Sequence, residues 1–508
     1  METEPDGTDG AAAGEAGDAA PADPSSAADG GGTGADAAVG AARSPLVLDL
    51  TSGASSDPAG RGSTSGVVQD GGDGGPEPAR ETGDDADPGD GTDGPAQDGT
   101  ATTMPPTTAP ASPVGRTVPP SATAPGSDQR ALYVDPSLGS SDNPGTEERP
   151  FRRPIEALAN VEPGTTIFLR GGTYDTSVHS GFSIRRSGTP DQWIRITAYP
   201  GERVELVAGG EYESGFEVVG ASYVEISGLV IRGRDDSIHG SGVFVRSGSH
   251  DVRIVGNQIS NFGGAGVSVM GSSGLLIEGN DIRNNAARSF YQGSGITLYK
   301  MAGPTNSGFT NVVRGNYLVN NRNDVPHHEA GRITDGNCII MDRNNETGYQ
   351  GWTLIENNVC AENGGRGIHS YRSSYIEARN NTLYHNLATD SILHGRGEMT
   401  VGEGRDVHFN NNLVINRPGI ASYVDNRNTN TTFVNNYVAS DPPPGAGNQL
   451  LPSGVDLFAS TARGGDVSQF RPLGSADLAG SADPSRQATS DFAGRARPSP
   501  GTVGAFEP

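Results

Sequence analysis

A unit of about 23 residues recurs in degenerate form from about 216 to 440, and no single copy of it can bury its own apolar face. The clearest copy is 264–286, GAGVSVMGSSGLLIEGNDIRNNA. Residues 266–269 alternate as a first strand, 271–274 turn, 275–278 form a second strand, Gly279-Asn280 bends the chain and 281–283 form a third. An asparagine follows each second strand, at Asn257, Asn280, Asn316, Asn358, Asn381, Asn412 and Asn436, always after Gly or Asn. Glycine and asparagine accept left-handed backbone, so a sharp corner is expected there, and stacked coils would line the amides up in a ladder with a structural role. A period of two turns Val243/Val245, Val267/Val269, Ile296/Leu298, Ile339/Met341 and Ile368/Ser370 inward and their neighbours outward. The expected fold is all-β: a single-stranded right-handed parallel β-helix, its hand following from the bias of parallel crossovers.

Several motifs carry a resemblance. The run Gly364-Gly365-Arg366-Gly367-Ile368-His369-Ser370, then Ser373-Ser374 and the corner Arg379-Asn380-Asn381-Thr382, resembles the right-handed parallel β-helix proteins of the pectate-lyase-like superfamily. The opening Tyr133-Val134-Asp135-Pro136, with Asp142-Asn143-Pro144-Gly145-Thr146 and 163–174 (PGTTIFLRGGTY), is similar to the first module of secreted polysaccharide lyases, especially the ninth lyase family and the chondroitinase-B type. Residues 501–507 (GTVGAFE) resemble the close of the same class. The likeness covers roughly 131–508 and is more specific for fold than for substrate. It implies a cleft on the first-strand face, β-elimination on a uronate polysaccharide, and a lysine base.

Composition divides the chain. Of 508 residues 33% are hydrophobic, 75 are Gly and the net charge is −25, too little apolar content for one core throughout. Residues 1–128, rich in Gly, Ala, Asp, Pro, Ser and Thr, carry most of that charge and are expected to be a disordered acidic tail or linker. Residues 129–508 are expected to form the β-helix domain. Within it, 131–215 should cap the first coil with a short helix over 150–161 (Phe151, Ile155, Leu158, Val161 inward), and 441–508 should be an irregular segment along the outside. The acidic balance argues against nucleic acid, and no apolar run is long enough for a membrane span. A secreted monomer is the expectation, although the N-terminus shows no signal peptide. Cys338 and Cys360 fall on one coil; two buried thiols are the expected reading, a disulfide across the core the alternative.

Function is expected where coils lengthen. The interval from Asn280 to Asn316 is 36 residues and from Asn316 to Asn358 is 42. The additions (286–293, 301–310, 322–336, 344–351) should wall a groove whose floor is the outward row Phe244/Arg246, Ser268/Met270, Thr297/Tyr299, Ile340/Asp342 and His369/Tyr371, with Asp324, His327, His328 and Glu329 in the loop above. Eliminating across a uronate requires neutralising its carboxylate and removing a neighbouring proton. Lys300, the only lysine in the chain, and His369 are rival bases, with Arg372 as a third catalytic candidate. Arg343 and Arg366 suit sugar carboxylates, and Tyr299 and Tyr371 suit sugar faces or a proton relay. Asp335 and Asp342 are the candidate ligands of a Ca2+ cofactor, or, in a glycoside-hydrolase alternative, the paired carboxylates. A non-catalytic carbohydrate-binding solenoid is the third reading.

Overall fold

The computed structural model describes residues 130–176, 182–392 and 395–508; the tail expected over 1–128 lies outside them. Three parallel sheets run the length of a β-helix, two of eleven strands and one of nine among the described residues. The nine-stranded sheet holds the first strands, from Phe182–Ile184 through Val243–Arg246, Val267–Met270, Ile296–Tyr299, Ile339–Asp342 and Ile368–Tyr371 to Ala421–Asn426. Pairing is in register from coil to coil, so Tyr299 lies beside Asp342 and Asp342 beside Tyr371. Every inward residue expected of these strands is fully buried, from Val243 to Ser370.

The asparagine ladder forms as expected and has one more rung. The backbone N–H and side-chain Nδ2 of Asn280 both donate to Asn316 Oδ1 at 2.9 Å, and Nδ2 also donates to Ile254 O at 2.8 Å. The pattern repeats through Asn358, Asn381, Asn412 and Asn436 and ends on Asn448. Each amide in the run thus meets two donors and two acceptors inside a dry core. A second ladder, Asn285, Asn321, Asn363, Asn386, follows the third strands and ends on the carboxyl of Glu398.

Two expectations are corrected. The cap helix is only Pro154–Ala159, and it turns Ala157 and Leu158 inward while Ile155 is exposed. Cys338 and Cys360 form a disulfide, with Cα atoms 5.7 Å apart, rather than two thiols. The physical reason is a column of tight corners before each first strand. At Gly242, Gly266 and Gly295 an added Cβ would meet the side chain of Ile259, Ile282 and Leu318 at 2.2, 2.4 and 2.7 Å. Cys338 holds that column's place in the next coil, pairing at Gly295, and its third-strand neighbour is Cys360, so a covalent bond replaces a contact that otherwise demands glycine.

The C-terminal segment packs on the outside of the third-strand sheet. Phe470, Phe492 and Phe506 cover Tyr317, Val319 and Val359, and Arg497 reaches Asn357 Oδ1 at 2.9 Å. Among the described residues no helix is long and apolar enough to cross a membrane.

Candidate functional site

On the outward face of the first-strand sheet lies a cavity of about 330 Å3. Its floor is the expected outward row: Phe244, Arg246, Ser268, Met270, Thr297 and Tyr299, with Asp342 at one end. One rung was not foreseen: Glu217, which alternation along Phe216–Val219 also turns outward. The walls are Tyr212, His239, Ser289, Tyr291 and Gln292. Of the four inserted loops, only 286–293 contributes to the lining. The 322–336 loop buttresses it: Gln292 Oε1 accepts from Thr334 N at 3.0 Å and His328 N donates to Phe290 O at 3.2 Å. No periodic signal marks Tyr212 or Tyr291 in the sequence, since both sit in irregular segments.

Beside the cavity the corner after each first strand is left-handed, with φ of 45° at Lys300, 55° at Arg343 and 46° at Arg372. The same conformation at Ser247 and Gly271 shows that it belongs to the corner and is no special strain of these residues. Each corner N–H donates to the next coil, Lys300 N to Asp342 O at 2.9 Å and Arg343 N to Tyr371 O at 2.8 Å. Three cations from successive coils therefore stand in a column, next to the row Tyr299, Asp342, Tyr371. Glu346, on the short turn Asn344–Thr347, faces all three: its oxygens lie 3.1 Å from Lys300 Nζ, 3.6 Å from Arg343 Nη1 and 3.9 Å from Arg372 Nη1. Arg372 also pairs with Glu403 at 2.8 Å, and Arg427 approaches Glu403 at 3.7 Å. Glu346 and Glu403 carried no mark in the sequence, because their role depends on loops returning to the column.

In this arrangement Lys300 stands as an ammonium paired with Glu346. Burial alone would pull its ammonium down, but hydrogen bonds with Glu346 and Tyr299 outweigh it and hold the pKa above 10.5. A general base needs the opposite shift. Burial raises the Tyr299 phenol, and the Lys300 hydrogen bond works against that rise; Tyr299 lines the cavity and Lys300 does not. His369 is buried rather than surface-facing, and Ile340 beside it is covered too. Burial, then Arg366, pushes the imidazole well below its usual range, and its Nδ1 has no hydrogen-bond partner among the described residues. Arg366 does not line the cavity: Nε donates to Gly395 O at 2.9 Å and Nη1 to Thr334 O at 3.2 Å, stapling two loops. Tyr371 lies between cations, its ring centroid 5.1 Å from Arg372 and 6.0 Å from Arg343.

Asp335 and Asp342 are not brought together. Asp335 accepts from Asn337 Nδ2 at 2.8 Å and Thr334 Oγ1 at 3.0 Å, capping a turn before the strand, and burial raises its carboxyl. Asp335 precedes the strand Ile339–Asp342 and lies outside the cavity lining, whereas Asp342 ends that strand and belongs to it. Among the described residues no three His, Cys, Asp or Glu side chains are grouped to hold a metal ion. These residues do not fit a calcium cage, which draws on six to eight oxygens, and no step below runs through Ca2+.

Residues 132–325 match the family model described as "Pel9A-like, right handed beta helix region". The uncharacterized protein YwoF of Bacillus subtilis is 35% identical over 136 residues, 25% of this chain and 28% of the relative. Pectate lyase PEL9 of Emericella nidulans is 39% identical over 80 residues, 16% of this chain and 18% of that one. This chain thus spans less than a third of either curated relative. The crystal structure of pectate lyase Pel9A is similar at a TM-score of 0.46 and 19% identity, covering 75% of this chain and 96% of the other.

Proposed function

We propose that this protein is an extracellular polysaccharide lyase that cleaves a uronate-containing polymer by β-elimination. The observation that carries the reading is the column Lys300, Arg343, Arg372 standing one residue behind the row Tyr299, Asp342, Tyr371. A uronate carboxylate entering that column exchanges for Glu346, a carboxylate already seated against the same three cations. Its charge is then neutralised and the C5 proton becomes acidic. Asp342 takes that proton, the C5 electron pair forms the C4–C5 double bond, the C4–O4 bond breaks, and O4 takes the proton of the Tyr299 phenol. Asp342 afterwards returns its proton through solvent to the tyrosinate. Lys300 acts on Tyr299: an ammonium hydrogen-bonded to the phenol strengthens it as an acid and steadies the phenolate. Secretion fits the Cys338–Cys360 disulfide, a bond that persists in oxidising compartments.

The test is incubation with a panel of acidic polysaccharides, following near-ultraviolet absorbance of unsaturated products. Tyr299→Phe should lower kcat by about 10²–10⁴-fold with KM little changed. Reducing ends without absorbance would replace elimination by hydrolysis. Glycan binding without cleavage would leave a binding solenoid.

A further inference from the structure

We propose that the cavity beside the cation column binds an uncharged sugar unit, so that the polymer recognised sets neutral or esterified sugars next to uronates; the place given to the uronate rests on the lyase reading above. Among the described residues three charged side chains line the cavity: Glu217, Arg246 and Asp342. Arg246 Nη2 lies 3.3 Å from Glu217 Oε2, so that pair cancels. Asp342, with Arg343 Nε 4.0 Å from its Oδ1, adds no positive charge to the lining. In the wall, burial holds the His239 imidazole below its usual range, which favours its neutral form.

What the cavity offers instead is broad apolar surface. Phe244 and Met270 form part of its floor, and Tyr212, His239 and Tyr291 form a continuous wall with ring centroids 5.0 and 4.8 Å apart. The C–H faces of a pyranose pack on such rings, and the hydroxyls of Ser268 and Thr297 are neutral partners for its own hydroxyls. Coils repeat about every 4.8 Å along the axis, close to the length of one sugar unit. A chain lying along the axis therefore places one unit per coil. Units over Phe244 and Ser268 meet apolar, charge-balanced surface; units over Lys300, Arg343 and Arg372 meet cations. A uniformly ionised polymer would put carboxylates where nothing neutralises them.

The experiment compares polygalacturonate with no esters against the same polymer with half its carboxyls methylated. Binding is read by affinity electrophoresis and cleavage by near-ultraviolet absorbance. The half-esterified polymer should bind about tenfold more tightly, because the sugar stacked on the rings then carries no carboxylate to be seated without a cation. Tyr291→Ala and Phe244→Ala should erase that preference and Tyr291→Phe should keep it, with far-ultraviolet circular dichroism confirming the fold of each. Equal or tighter binding of the unesterified polymer overturns the inference, as does no binding of either, or a Tyr291→Ala variant that weakens both equally. A preference without unsaturated products from either polymer upholds this inference and removes the lyase reading. Products without a preference do the reverse.

Discussion

Raising the pH should weaken this fold through Glu398, and Glu398→Gln should remove that weakening. Glu398 lies on the strand Gly397–Gly402 and is fully buried. It ends the second asparagine ladder, accepting from Asn386 N at 2.9 Å and Asn386 Nδ2 at 2.8 Å. Burial pushes its pKa up to about 8 from an ordinary 4.5, against the pull of those two hydrogen bonds and of Arg417. A carboxyl whose pKa is raised on folding gives its full stability below 4.5, where folded and unfolded chains are both protonated. Between 4.5 and 8 the unfolded chain ionises while the folded one keeps its proton, so stability falls; above 8 nothing further is lost. At about 1.36 kcal/mol per pKa unit, the fall totals about 5 kcal/mol. In the Glu398→Gln variant the carboxamide oxygen can take both Asn386 donors, as Asn386 Oδ1 takes two from Asn363 one rung earlier. Chemical denaturation of wild type and variant at pH 5, 7 and 9, followed by circular dichroism, isolates this group in the difference between the two. The variant should gain on the wild type with a slope approaching about 1.4 kcal/mol per pH unit near neutrality. A difference that stays flat from pH 5 to 9 would refute the reasoning, because it would mean that the Asn386 hydrogen bonds keep the carboxylate ionised inside the fold.

Asn358→Ala should cost about 3–5 kcal/mol, since it strands the Asn316 N–H and removes a donor from Val313 O and Asn381 Oδ1 in a dry core. Asn448→Ala, at the open end of the ladder, should cost markedly less in the same denaturation assay. Glu346→Gln should tighten binding of a uronate oligosaccharide by calorimetry and lower the Lys300 pKa, because it removes the carboxylate that competes for the column; unchanged affinity would argue that the column does not meet the substrate carboxylate. Arg372→Ala should raise KM and lower kcat together, as a residue holding ground and transition states alike, and a change in kcat alone would count against that role.

Repetition made the scaffold legible before any coordinates. An asparagine after each second strand, at 23-residue spacing or more where loops are inserted, leaves stacking as the one arrangement that satisfies every amide, and the two-residue period then sorts inward from outward. That logic is local, which is why it correctly put Phe244, Ser268, Thr297 and Tyr299 on the outward row. Cys338 takes the next place in the column of corners that Gly242, Gly266 and Gly295 hold before first strands, but that it bonds to Cys360, where two thiols were expected, emerged only with the coils stacked. Side chains whose surroundings come from distant loops were beyond such reasoning. Whether His369 faces solvent depends on segments that cover its coil, and they bury it. Whether Lys300 is base or ammonium depends on Glu346, which reaches it only because the turn after the neighbouring coil folds back. Whether Arg366 meets a substrate depends on two loops whose carbonyls claim it first. Periodicity determines which way a residue points; only the tertiary structure decides what stands in front of it, because that is set by loops with no period of their own.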